Sequence, residues 1–272
     1  MPKPRQKLSP NRGTDAVGAR PLQVRLLGEI EGVLAVREPR LLRDLALTPA
    51  EIRQRYVAPV AKLLSRTFGE AEIACVKATS FASEIADALV PPGERALFMY
   101  ATPRNYVASI LAGPNSVQEL SALAPSRSQR LSGRASLPEP RNAADFAAAA
   151  WACEMTALES AAERMQDRRI AWADFDKMLA GLPAELARVA NFFGFATANI
   201  ETIATGPLIG RYSKATEYEY TPALRLDLIT EADAVNRADI DSALAMLQSA
   251  AENSPLLASA LRRAECIESS NS

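Results

Sequence analysis

The chain has 272 residues and a mass of 29.3 kDa, room for one α/β domain or two small ones. Hydrophobic residues make up 48% and charged residues 23%, which supports a packed core rather than a disordered chain. Lys and Arg number 31 against 32 Asp and Glu, so the net charge of −1 speaks against a general nucleic-acid binder; the absence of histidine excludes Ser-His-Asp and Cys-His catalysis, His-ligated metals and a His general base.

Residues 1–21 place Lys3, Arg5, Lys7, Arg12 and Arg20 against one acid, Asp15, with prolines and no apolar periodicity, which predicts a disordered basic tail. Leu22, Val24, Leu26, Leu27 and Ile30 then fit a short buried helix, ended by Gly32, and Val33-Leu-Ala-Val36 reads as a strand. Thr48-Pro-Ala-Glu51 has the pattern of a capping box with Pro at the first helical position. It predicts a long helix through Tyr56, Val60 and Leu64, closed by Gly69. Glu72 to Lys77 reads as a buried strand, Thr79-Ser80 as the start of a helix to Leu89, and Pro91-Pro92-Gly93 as a turn. Arg95 to Tyr100 is a third strand, and Pro103 starts a helix carrying Tyr106 and Ile110.

Residues 113–141 are rich in Ser, Pro and Arg and read as a mobile or lid-like insertion, whose Arg127, Arg130 and Arg134 are expected on a solvated face or against an acidic acceptor. An Ala-rich helix follows over 142–167, then a fourth strand at Ile170-Ala-Trp172, a helix over 175–179, and a helix over 183–193 capped by Gly194. The part from Pro222 to Arg263 is helical, and residues 266–272 read as a frayed end. Successive βα steps imply an α/β fold, a three-layer parallel sheet with helices on both faces and a helical C-terminal part, in one domain over 22–265.

Cys75, Cys153 and Cys266 are far apart, odd in number and form no CxxC pair. No zinc or disulfide framework follows, and a cytoplasmic setting is the simplest expectation, with no membrane span and no metal. In a parallel sheet, ligands sit beyond the carboxyl ends of the strands. Those ends deliver Arg37-Glu38, Lys77-Ala-Thr79-Ser80 and Tyr100-Ala-Thr-Pro-Arg104, each with a charge where a helix begins. Cations beside helix N-termini favour an anion, most simply phosphate or sulfate. A single charge after a strand is as often only a solvated loop residue; three on one edge are harder to dismiss.

Val76-Lys77-Ala-Thr-Ser80-Phe81-Ala-Ser, Ala96-Leu-Phe-Met-Tyr100 and Pro103-Arg-Asn-Tyr106-Val-Ala-Ser109-Ile-Leu resemble the middle of a bacterial sulfotransferase-like protein. Ala171-Trp172-Ala-Asp174-Phe175-Asp176-Lys-Met-Leu179 and Val189-Ala-Asn-Phe192-Phe-Gly194-Phe resemble its later strand and helix. The resemblance implies a P-loop type α/β fold and the donor 3′-phosphoadenosine 5′-phosphosulfate. It implies that Ser109 contacts the donor 3′-phosphate, with Arg104 standing in for an arginine that Ala101 replaces. It gives Lys77 the role of the lysine after the second main strand and makes Glu38, in Val36-Arg-Glu-Pro39, the base; the other reading of Glu38 is a structural partner for Arg37 or Arg40. Arg211 and Lys214, in Arg211-Tyr-Ser-Lys214, take the place of a basic loop over the donor phosphate.

The largest departure is at the front. The family begins with an apolar strand and a Gly/Ser/Thr loop whose N–H groups wrap the phosphosulfate. Gly18-Ala-Arg-Pro-Leu-Gln-Val24 stands there instead, with one glycine and a proline that lacks a donor N–H. Three accounts are open: a relic that binds something else or nothing, a first strand lost through a wrong start or a frameshift, or an unrelated loop that does the work. The expected activity is therefore sulfuryl transfer to an unknown hydroxyl or amine, small molecule or saccharide. The alternative is a non-catalytic α/β binding or interaction protein that keeps the fold; under either reading a homo-oligomer is open, through the Ala-rich helix near Trp151. A phosphoryl-transfer enzyme fares worst, because no GxxxxGK[ST] occurs.

Overall fold

The computed structural model describes residues 22–166, 168–209 and 221–265. The tail and the frayed end expected at 1–21 and 266–272 lie outside the described residues, as do Arg211, Lys214 and Cys266. The fold is α/β, mostly helical, and its residues sort into two compact units. One, the strand unit, holds Arg20–Met99 and Ala161–Ile209; the other, the helical unit, holds Tyr100–Ser160 and the C-terminal helices.

The strand unit opens with α1 (Leu22–Leu27), whose Leu26 and Leu27 are buried together with Ile30. Gly32, at φ +77°, turns the chain into β1 (Val33–Arg37); a side chain there would be strained. The crossover is made by α2 (Arg40–Ala46) and α3 (Ala50–Leu64), and β2 (Ile73–Lys77) returns parallel to β1. The register runs from Val33 opposite Ile73 to Arg37 opposite Lys77, so both carboxyl ends finish level.

The capping box at Thr48 does not form. Pro49 holds the cap position of α3 without a side-chain bond, and the Thr48 hydroxyl donates instead to the Leu45 carbonyl (2.7 Å), closing α2. The short connection decides this, because one threonine cannot end α2 and start α3 at once. α3 ends at Leu64 rather than at Gly69. The helix expected from Thr79 is a 3-10 helix (Ser80–Ile85) followed by one turn, α4 (Ala86–Leu89). α2 packs on that 3-10 helix, burying Leu42, Leu45, Phe81 and Ile85.

β3 (Arg95–Tyr100) pairs with β4 (Arg169–Asp174), the Arg169 N–H donating to the Glu94 carbonyl (3.2 Å) where both strands begin. The described strands therefore pair as two small sheets, β1-β2 and β3-β4, rather than as one continuous four-stranded sheet. Phe98 and Trp172 meet edge to face across the second pair at 5.1 Å. Asp174 caps α9 (Phe175–Ala180), its Oδ1 accepting from the Asp176 and Lys177 N–H groups at 2.8 and 3.0 Å. α10 (Leu182–Phe193) ends at Gly194, φ +79°, as its sequence predicts, and α11 (Ile200–Ala204) follows.

The helical unit contains α5 (Pro103–Leu111), α6 (Pro114–Ala122), α7 (Ala124–Leu131), α8 (Ala143–Arg164, as far as Ser160), α12 (Pro222–Val235), α13 (Arg237–Ala251) and α14 (Pro255–Glu265). The alanines of α8 are small enough to be packed on all sides: Ala147, Ala148, Ala152 and Cys153 are fully buried, and Trp151 donates its Nε1–H to the Ala101 carbonyl (2.9 Å).

Residues 113–141 are not a lid. They form α6 and α7 and are tied to α8 by the arginines expected on a solvated face. Arg130 makes a bidentate pair with Glu154 (3.2 and 3.1 Å), and Arg127 lies 3.7 Å from the same carboxylate. Arg134 donates to the Thr156 hydroxyl (3.0 Å) and the Cys153 carbonyl (3.1 Å). Arg127 and Glu154 are each 9% exposed, so the charges pair inside the fold because neither sign can be left there alone.

Candidate active site at the carboxyl ends of β1 and β2

The parallel register brings Glu38 and Lys77 together. Glu38 follows the last residue of β1 and Lys77 ends β2, and their side chains form an ion pair. The backbones are joined as well, the Glu38 N–H donating to the Lys77 carbonyl (2.8 Å). Lys77 is mostly covered, with 14% of its side chain exposed, while 36% of the Glu38 side chain is exposed. Solvent reaches the carboxylate more than the ammonium.

Glu38 is held at φ +45°, the only non-glycine residue with positive φ among the described residues. That conformation costs on the order of 1–3 kcal/mol and persists only when its surroundings enforce it. Here the Glu38 N–H is bonded to the Lys77 carbonyl, and the positive φ stands against the extended conformation that the following Pro39 favours. Two residues beyond Lys77, the Thr79 hydroxyl oxygen is buried without a hydrogen-bond partner among the described residues. A buried hydroxyl left unmatched costs free energy, and Thr79 stands in the Lys77-Ala-Thr79-Ser80 stretch that the sequence places at this strand end. Cys75, two residues before Lys77 on β2, is buried, and desolvation pushes its thiol up to about 11, which keeps it protonated at neutral pH.

The residues expected to hold the donor 3′-phosphate are engaged differently. The Ser109 hydroxyl is 5% exposed and donates to the Tyr106 carbonyl of its own helix (2.8 Å). Arg104, in the first turn of α5, is clasped by Asp233 of α12 (2.6 Å) and by Asp241 of α13. The Asp241 hydrogen bond, opposed by burial and helped by Asp233, raises the guanidinium pKa further. Two carboxylates offset the positive charge that Arg104 would offer a phosphate, and the Ser109 hydroxyl proton is used within its own helix. Ser109 and Arg104 belong to the helical unit, Glu38 and Lys77 to the strand unit. Among the described residues no group of three or more Cys, Asp or Glu is placed to hold a metal ion, and no helix is long and apolar enough to cross a membrane. No family model, curated protein or solved structure matches the chain.

Proposed function

We propose that the chain is a sulfotransferase-like transferase of the P-loop type whose reaction centre is the Glu38–Lys77 pair. Glu38 takes the proton from a hydroxyl or amine acceptor, and Lys77 offsets the negative charge that develops on the transferring oxygens. The observation that carries this reading is the ion pair built across two level, parallel strand ends with Glu38 in a strained backbone conformation. Sulfuryl transfer and the donor 3′-phosphoadenosine 5′-phosphosulfate rest on the resemblance alone; a three-layer sheet and a cytoplasmic setting are part of the same proposal. The donor's 3′-phosphate is not assigned to Ser109 or Arg104.

The test is a melting curve with adenosine 3′,5′-bisphosphate. A ligand at about 100 times its Kd stabilises the native state by about 2.7 kcal/mol, which a thermal shift resolves. Glu38→Gln is expected to bind as the parent does and to lose turnover; unchanged turnover would sink the base assignment.

A second reading is favoured by a separate observation. Arg104 is paired with two aspartates and Ser109 donates within its own helix, both in the helical unit, as they would be in a non-catalytic protein that keeps the fold for binding. An unshifted melting temperature at millimolar bisphosphate supports that reading instead.

A further inference from the structure

We draw no further inference here: the strongest candidate, the cavity of about 200 Å³ between the start of α5 and the helices α13 and α14, is walled by Arg104, already paired with Asp233 and Asp241, by Glu265 and by apolar Leu244 and Leu261, and nothing in the structure shows what fills it.

Discussion

The two units of the molecule hold their charges in opposite ways. In the helical unit, Arg127, Arg130 and Glu154 are almost wholly buried, and the geometry is bidentate. Arg263 adds a second clasp on α8, its Nη2 donating to Glu159 Oε2 at 3.0 Å. These pairs join elements far apart in sequence and leave little room for a ligand. In the strand unit, Glu38 and Lys77 meet at an edge, with the carboxylate partly open to water and its backbone strained. A buried clasp serves the fold, because removing one partner strands the other in a medium that cannot solvate it. A strained, half-open pair contributes little to stability, and its persistence calls for a reason outside the fold.

The largest loss of stability is expected at Glu154. Glu154→Ala leaves Arg130 and Arg127 buried without their carboxylate and is expected to cost about 3–5 kcal/mol, read as a fall in denaturation midpoint at unchanged slope. A loss below about 1 kcal/mol would mean that the cluster rearranges to reach water.

A helix cap in the strand unit gives a smaller, pH-dependent effect. Burial raises the Asp174 carboxyl above its ordinary 3.8, even though two N–H groups donate to it. The folded state thus binds this proton more tightly than the unfolded state. Stability from this group falls as pH rises from the unfolded value through the folded one. Asp174→Asn keeps an acceptor for the cap and removes the charge. It is expected to be at least as stable as the parent at pH 7, with the advantage vanishing below pH about 4. Asp174→Ala, which loses the cap, is expected to cost about 1 kcal/mol. Urea titrations at both pH values check the pair of variants.

Glu38 should respond in the reverse way to Glu154. Glu38→Gly removes the ion pair, a loss of up to about 1 kcal/mol, and relieves a backbone conformation that glycine adopts freely. The net change is expected to lie within about 1 kcal/mol of zero, with turnover lost. A fall of about 3 kcal/mol or more would make Glu38 a structural residue like Glu154. Smallest of all is the expected labelling of Cys75 and Cys153 by iodoacetamide at pH 8 in the native protein, which should be none until the chain unfolds, because both thiols are buried. Rapid native labelling of Cys75 would show that β2 opens beside Lys77.

What could be read from the sequence follows from how local each signal is. The apolar runs in Val33–Arg37 and Arg95–Tyr100, and Gly194 after an apolar helix, are properties of a few neighbouring residues, and the structure follows them. The meeting of Glu38 with Lys77 was legible one step further, since a βαβ step with level strands sets their ends side by side. The roles of Arg104, Arg127 and Arg130 were not legible. Their partners Asp233, Asp241 and Glu154 stand on other helices, 24 to 137 positions away, and only packing chooses them. Thr48 was misread because its hydroxyl has two local uses, and α2 takes it. The Thr79 hydroxyl was invisible in the sequence, because a buried oxygen without a partner exists only once the chain has folded around it.

On the proposed function, the Glu38–Lys77 pair handles a ligand and does not merely hold two strands together. Calorimetric titration of adenosine 3′,5′-bisphosphate into the full chain and into Lys77→Met tests it most directly. Saturable binding by the parent is expected, with affinity reduced at least about tenfold in Lys77→Met, as for a lost charge-assisted contact of about 1.5–3 kcal/mol, and melting temperatures within a few degrees of each other. No binding by the parent, or equal binding by both, would contradict it.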